Sequence, residues 1–198
     1  MKKNLTRTVL ASAALSIGTA GLAHGSNLLI NGSFETGDFT GWVVSQDMDQ
    51  VGVCAAGTCP GGLAPADGNF AAYFGKAIDK TSPLLQDVAT TPGEYYKIHM
   101  ELANPEGGVS DYFEVDWNGQ AAFQKTNSGP FSWTDVSFEV QATDTQSELA
   151  FTFENQSASF LLDNVQVEEE ATPEPQSFVL LGTGLAGVLA ALRRKIGR

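Results

Sequence analysis

Basic residues are scarce in the middle of this 198-residue chain. The sequence has 11 lysines and arginines against 23 acidic residues, and seven of the basic ones lie in the two terminal segments. Residues 24–173 contain only four lysines against 22 acidic residues, a net charge of 4 − 22 = −18. Because this region offers no counter-charge to phosphate groups or anionic lipid headgroups, the composition excludes nucleic-acid binding and attraction of this region to acidic membrane surfaces.

Residues for nucleophilic catalysis are also scarce. His99 is the only histidine after His24, and no Gly-x-Ser-x-Gly motif accompanies it, so a Ser-His-Asp triad is not expected. Glu114 and Asp116 are two residues apart on one predicted strand, roughly 6.5 Å, a separation known from glycoside hydrolases. Any acidic strand produces such pairs, however. The sequence therefore predicts a protein that is not an enzyme, with an extracellular hydrolase as a remote alternative.

Cysteine is limited to Cys54 and Cys59, which lie in the Gly-, Ala- and Pro-rich stretch VGVCAAGTCPGG. No histidine lies nearby to complete a zinc-ligand set. In an exported protein, the default for such a pair is a local disulfide. The sequence predicts that this disulfide pins a surface loop, and a free or redox-active pair is the alternative.

Long hydrophobic runs are missing from the middle of the chain and occur at its ends. Residues 1–23 combine a basic start, an apolar stretch and a final Gly-Leu-Ala. This order is typical of a secretory signal peptide, here cleaved after Ala23, and a retained N-terminal anchor is the alternative.

The second apolar run, residues 176–192, contains no charge and is followed by Arg193, Arg194 and Lys195. At about 1.5 Å per helical residue, it approaches the ~30 Å hydrocarbon thickness of a bilayer. We therefore expect residues 176–198 to form a transmembrane segment with a cytoplasmic basic tail, and this segment to be the protein's only membrane contact. A buried terminal helix of a soluble protein is the alternative.

Pro173, Glu174 and Pro175 directly precede this apolar run. The order of Pro-Glu-Pro, apolar span and basic tail resembles the PEP-CTERM sorting signal of Gram-negative bacteria. In that family an exosortase recognises the tripeptide and the C-terminal helix is removed. The resemblance implies export through the Sec machinery, an inner-membrane intermediate, and delivery to the cell surface or extracellular matrix.

Residues 24–168 have the pattern of an antiparallel β-sandwich. Apolar side chains recur at every second position in four segments, residues 96–102, 113–117, 136–140 and 149–153. Each segment can bury one face only, so two sheets must pack face to face. Asn118-Gly119 predicts a hairpin turn, and Trp117 shares the apolar phase of its strand, which favours a place in the core. Residues 169–175, together with Glu168, are expected to form a solvated acidic linker.

Two terminal motifs make the fold more specific. Residues 27–35 (NLLINGSFE), followed by Gly37 and Gly41-Trp42, look like the opening strand of carbohydrate-binding modules with a galactose-binding-domain-like jelly roll. Residues 160–165 (FLLDNV) look like their closing strand. The alternation breaks at Asp163-Asn164, which predicts a β-bulge.

The same resemblance implies a structural calcium ion. In such modules a Glu of the opening motif and an Asp of the closing motif hold Ca²⁺, and backbone carbonyls complete the shell. Mapped onto this chain, the resemblance implies Glu35 and Asp163 as ligands, together with the carbonyl of Ser33 and Asp67. Several hard oxygens suit Ca²⁺. The alternative is that Glu35 is a surface carboxylate and Asp163 a strand-end cap.

A sugar-binding face needs aromatic rings beside polar groups, and two predicted strands offer such residues. Their outward positions are Tyr95, His99 and Glu101 on one strand and Tyr112, Glu114 and Asp116 on the next. If the two strands are neighbours, these side chains form one polysaccharide-binding face. Otherwise the tyrosines serve cross-strand packing.

These observations together predict an exported, non-catalytic protein of the cell surface or extracellular matrix. Its expected role is adhesion, with polysaccharide as the candidate ligand. The alternative is a structural matrix or coat protein without a specific ligand, whose acidic surface provides hydration.

Overall fold

The computed structural model describes residues 25–44, 51–75, 81–108, 110–170 and 184–185. The predicted signal peptide (residues 1–23) and the sorting tripeptide (residues 173–175) lie outside the described residues. So does the predicted transmembrane segment, residues 176–198, except for residues 184–185. No helix within the described residues is long and apolar enough to cross a membrane.

In the described residues, ten strands form two antiparallel sheets, which confirms the all-β sandwich prediction. Sheet I has the order β1 (Val43–Val44), β4 (Thr81–Ala89), β9 (Gln146–Glu154), β6 (Tyr112–Trp117), β7 (Gln120–Thr126). Sheet II has the order β2 (Val51–Ala55), β3 (Phe70–Gly75), β10 (Ser159–Glu169), β5 (Tyr95–Asn104), β8 (Phe131–Gln141). A 3₁₀ turn, Pro60–Gly62, follows β2.

Aromatic side chains from both sheets fill the space between them. Phe74 of β3 stacks on Phe153 of β9 with ring centroids 4.0 Å apart. Phe113 of β6 lies 5.8 Å from Phe160 of β10. Trp117 is only 6% exposed, as its place in the apolar alternation of β6 predicts. The inward residues of the alternating strands thus form one continuous core, as expected for two sheets packed face to face.

The opening motif is not a strand, which corrects one expectation. Residues 27–35 form turns, with Asn31 and Phe34 in the left-handed region at φ 54° and 55°. Left-handed residues interrupt an extended ladder. Side-chain amides hold the segment instead, since Asn27 Nδ2 donates to the Val165 carbonyl and Asn27 Oδ1 accepts from Val167 N–H, both at 3.0 Å.

The last strand is longer than predicted. Glu168 and Glu169 belong to β10 rather than to a solvated linker, and they pair with Lys97 and Tyr96 of β5. The linker prediction was wrong here because the two-residue alternation continues through Glu168, whose side chain faces outward opposite a lysine. Glu170 then donates its backbone N–H to the Tyr95 carbonyl at 2.9 Å.

The predicted hairpin and disulfide are both present. Asn118 and Gly119 have φ 54° and 72° and connect β6 to β7, as a tight primed turn requires. Cys54 and Cys59 are bonded, with Cα atoms 5.0 Å apart.

The loop that follows the disulfide covers part of the outer face of sheet II. Its anchor is Trp133 of β8, whose indole N–H donates to the Ala64 carbonyl at 2.8 Å. Buried beneath the loop is a small apolar cluster, separate from the main core, formed by Cys54, Cys59, Ala71, Ala103 and Leu161. The other half of this outer face is left open.

Candidate functional site

The two strands expected to share a sugar-binding face lie in different sheets. Strand β5, with Tyr95 and His99, is in sheet II, whereas β6, with Tyr112, is in sheet I. The prediction of one joint face was therefore wrong. The chain passes from sheet II to sheet I between β5 and β6, and Asn104 at the end of β5 donates through Nδ2 to Asp111 Oδ2, just before β6, at 3.0 Å. Strand alternation carries no information about such a crossing.

The outer face of sheet I is rich in carboxylates, and among the described residues none of its aromatic side chains is exposed. Tyr112 is 7% exposed; its hydroxyl donates to Glu114 and accepts from Gln124 Nε2 at 2.7 Å. Partial burial, followed by the charges of Glu114 and Glu148, raises the pKa of Asp116. Tyr112 is thus packed against its own sheet rather than presented to a ligand.

The outer face of sheet II carries an open depression of about 250 Å³, lined by Lys97, His99, Gln166 and Glu168. We call it the β5–β10 groove. Its walls follow from strand register, since Lys97 lies opposite Glu168 and His99 opposite Gln166. Tyr95, 47% exposed, lies two residues before Lys97 on the same side of β5. The groove therefore combines polar walls with an exposed aromatic ring near one end.

The predicted bulge in β10 shapes this groove. The β5–β10 register shifts between Asp163 and Gln166, and Asn164 adopts φ 48°. After the bulge Val165 is buried and Gln166 faces outward. Gln166 Nε2 donates to Asn164 Oδ1 at 2.6 Å, which holds the amide beside His99. The bulge is confirmed, and its structural effect is to aim Gln166 into the groove.

Sequence reasoning missed three of the four groove residues. Lys97 is absent from the predicted face, which was built from aromatic rings, carboxylates and the one histidine. Gln166 and Glu168 lie beyond the closing motif at residues 160–165, whereas β10 continues to Glu169. The signal was present, since Val165 and Val167 are inward positions and the residues after each of them face outward.

Glu35 and Asp163, the two main calcium ligands expected, hold the same short loop, residues 66–70. Glu35 Oε1 accepts the N–H groups of Asn69 at 2.8 Å and Phe70 at 2.9 Å. Asp163 Oδ2 accepts the N–H groups of Ala66 and Asp67, both at 2.9 Å. Two carboxylates that are far apart in sequence therefore hold the two ends of this loop by hydrogen bonds.

The chemistry of these residues fits a hard cation. Asp163 is fully buried, and burial raises its pKa to about 6, although the N–H donors of Asp67, Asn164 and Ala66 act in the opposite direction. Within the described residues it has no cationic side-chain partner. A buried carboxylate without a counter-charge is costly, and its remaining lone pairs are hard oxygen donors of the kind Ca²⁺ takes.

The two further predicted calcium ligands are Ser33 and Asp67. Ser33 lies two residues before Glu35 in the same turn region. Asp67 is exposed, and its charge contributes to the raised pKa of Asp163, which places it near that carboxyl group. Calcium binding by these four residues stays a prediction.

The C-terminal segment decides how the protein is sorted. Residues 171–195 match the PEP-CTERM protein-sorting motif. This match confirms the sorting signal expected from Pro173, Glu174 and Pro175, and it indicates an exosortase-sorted, exported protein delivered to the cell envelope or surface. No curated protein matches the chain.

Solved carbohydrate-binding modules resemble the sandwich. TmCBM61, solved in complex with β-1,4-galactotriose, is 23% identical over 73% of this chain and 99% of its own, with a TM-score of 0.54. The CBM22-1 xylan-binding domain of Paenibacillus barcinonensis Xyn10C is 18% identical, covers 75% of this chain and 97% of its own, and has a TM-score of 0.51.

Part of a larger enzyme domain has a similar fold. The enzymatically active domain of bacteriophage CBA120 tailspike protein 4 is 14% identical over 73% of this chain and 21% of its own, with a TM-score of 0.51. At such identities the likeness shows the fold alone. It confirms that the PEP-CTERM-sorted chain carries a β-sandwich of the carbohydrate-binding-module type.

Proposed function

We propose that this exported protein binds polysaccharide at the cell surface or in the extracellular matrix, through the β5–β10 groove, and performs no chemistry on it. The observation that carries the proposal is the groove itself. It is an open depression of about 250 Å³ on the outer face of sheet II, and its four lining residues are all polar. An open groove lined by polar side chains offers hydrogen-bonding groups to the hydroxyls of a sugar chain.

The groove supplies the two kinds of contact that sugars require. Lys97 and Gln166 donate hydrogen bonds, Glu168 accepts them, and His99 does either. Tyr95 offers an exposed ring on which the C–H face of a pyranose can stack. The groove walls stand on strands β5 and β10, so their spacing is fixed by backbone pairing rather than by a loop. Such preorganisation reduces the entropy lost on binding.

The solved relatives support the choice of probes. One of them was crystallised with β-1,4-galactotriose and another is described as xylan-binding. We therefore propose neutral β-linked polysaccharides as the first ligands to test. The acidic surface of this domain favours uncharged glycans over uronate-rich chains, because like charges repel.

A glycan array with the full chain, followed by titration of the best binder, tests the groove. The Tyr95→Ala and Gln166→Ala variants are expected to weaken binding roughly tenfold each, equivalent to about 1.4 kcal/mol. Glu148→Gln, an exposed carboxylate on sheet I, is the matched control and should bind like the original protein. Binding should persist at high salt because the contacts are not ion pairs.

Two outcomes would redirect the proposal. Silence across the whole array would favour the structural matrix or coat protein, for which the acidic composition provides hydration without a ligand. Release of reducing ends from a bound glycan, lost in Glu114→Gln or His99→Ala, would instead support a hydrolase.

The proposal includes a structural calcium ion held by Glu35 and Asp163, with the Ser33 carbonyl and Asp67 as further ligands. The ion would neutralise the buried Asp163 and stiffen residues 66–70. Saturating calcium is expected to raise the melting temperature of chelator-stripped protein by roughly 5–10 °C.

The Glu35→Gln variant separates calcium binding from general salt effects. It should lose the calcium-dependent rise, while the exposed sheet I control Glu148→Gln keeps it. Identical melting curves for the original protein in chelator and in calcium would show that Glu35 and Asp163 are loop caps only.

A further inference from the structure

Three ligand-type side chains converge beside the β5–β10 groove. A ring nitrogen of His99 and one carboxylate oxygen each of Glu101 and Asp135 lie within 4.8 Å of one another. Glu101 and Asp135 are direct cross-strand partners on β5 and β8, and His99 lies two residues before Glu101 on the same face. Among the residues that the structure describes, this is the one such group of three.

The contacts within this group leave it electrostatically unbalanced. His99 Nε2 and Asp135 Oδ1 are 3.7 Å apart, too far for a hydrogen bond. Two carboxylates directly opposite each other on paired strands repel. Partial burial, followed by the nearby charge of Asp135, raises the pKa of Glu101.

The nearby Lys97 does not offset the repulsion between Glu101 and Asp135. Lys97 shares the outer face of β5, but the strand register places it between Glu139 of β8 and Glu168 of β10. These two carboxylates compete for its charge. The Glu101–Asp135 pair is therefore left with the neighbouring imidazole as its nearest candidate for a positive partner.

We propose that His99, Glu101 and Asp135 form a binding site for a divalent transition-metal cation of the Zn²⁺ type. An imidazole nitrogen and carboxylate oxygens are both among the donor atoms that Zn²⁺ takes in proteins. Two ligand atoms, each about 2.1 Å from a tetrahedral zinc ion, lie about 3.4 Å apart. The 3.7 Å between His99 and Asp135 is close to that spacing. The like charges of the two carboxylates then become favourable contacts to one ion.

This site differs in chemistry and place from the calcium site proposed above. Ca²⁺ takes oxygen ligands, whereas an imidazole nitrogen favours Zn²⁺ and its neighbours in the transition series. With three protein ligands, a tetrahedral ion keeps one position for water. Because His99 also lines the β5–β10 groove, the ion would be bound at the edge of the groove.

Calorimetric titration of untagged full chain with ZnCl₂ tests the site. The protein is first stripped with a chelator and then held in excess CaCl₂, so that any oxygen-only site is already filled. We expect one Zn²⁺ bound per chain. The variants His99→Ala, Glu101→Gln and Asp135→Asn should each weaken the affinity roughly tenfold or more.

Glu139→Gln is the matched control, because Glu139 is an exposed carboxylate on the same strand and face as Asp135 but lies opposite Lys97. It should leave Zn²⁺ affinity unchanged. Visible absorption of a Co²⁺-substituted sample, present in the original protein and lost in His99→Ala, would show that the imidazole is a ligand.

Far-UV circular dichroism of each variant checks that the fold is kept, as expected for substitutions on an outer face. No saturable Zn²⁺ binding, or equal affinity in His99→Ala and the original protein, would overturn the site. Neither result would affect glycan binding by the groove, which is measured separately.

Discussion

Single polar side chains substitute for the strand that the N-terminal motif does not form. Gln86 of β4, 5% exposed, accepts a hydrogen bond from Ile30 N–H at 2.7 Å and donates one to the Ile30 carbonyl at 3.1 Å. One amide thus satisfies both backbone groups of a residue that has no ladder partner. The turn segment that carries Glu35 is fixed to the sandwich in this way.

Replacing this amide tests that role. Gln86→Leu leaves both backbone groups of Ile30 without their partner, and each such loss costs about 1–3 kcal/mol. We expect the free energy of unfolding in urea to fall by roughly 2–4 kcal/mol. Asp87→Asn, at the exposed next position, should change it by less than about 0.5 kcal/mol. Equal effects of the two substitutions would contradict the role given to Gln86.

The carboxylates of sheet I give a pH-dependent prediction. The raised pKa of Asp116 means that the folded state favours its protonated form. Its contribution to stability is therefore present below the unfolded pKa of about 3.9 and is lost as the pH rises through the folded value. The Asp116→Asn substitution removes the stability cost that the ionised Asp116 imposes on the folded state at neutral pH.

Urea denaturation at two pH values measures the effect. The Asp116→Asn variant should be more stable than the original protein at pH 7 and gain nothing at pH 3. Asp144→Asn, in an exposed bend, is the control and should show no such difference. An Asp116→Asn gain that is the same at both pH values would exclude charge as its cause.

At the scale of elements, residue alternation predicted most strands but not their assignment to sheets. The two-residue alternation of apolar side chains predicts β5, β6, β8 and β9 from the sequence. The Asn118-Gly119 hairpin and the bulge at Asp163 are predicted as well. Whether β5 and β6 are neighbours depends on how the two sheets assemble, which the alternation within a strand does not encode. For the same reason Tyr112 was expected on the ligand face, although it lies on the opposite side of the sandwich.

The disulfide loop is an element whose contribution can be isolated. The bond closes a loop of six residues, for which chain entropy gives a stabilisation of about 2 kcal/mol. The double variant Cys54→Ala/Cys59→Ala should lose about this amount in urea denaturation. It should also change the fluorescence of Trp133, whose indole is bonded to the loop. An unchanged denaturation midpoint would contradict this account.

At the scale of the whole molecule, the two outer faces differ in what they offer. Sheet I presents carboxylates and a packed tyrosine, whereas sheet II presents a groove, an exposed ring and a mixed imidazole–carboxylate cluster. The C-terminal motif indicates that this sandwich is sorted to the cell envelope or surface. The account therefore depends on sheet II being the face that meets a ligand.

Hydroxyl-radical footprinting of the full chain, with and without the polysaccharide bound most tightly on the array, tests this claim most directly. Tyr95 should become protected, while Ile30 and Val43, which are 62% and 60% exposed and lie away from sheet II, should be labelled as before. Unchanged labelling of Tyr95, with protection confined to sheet I, would contradict the assignment of the functional face.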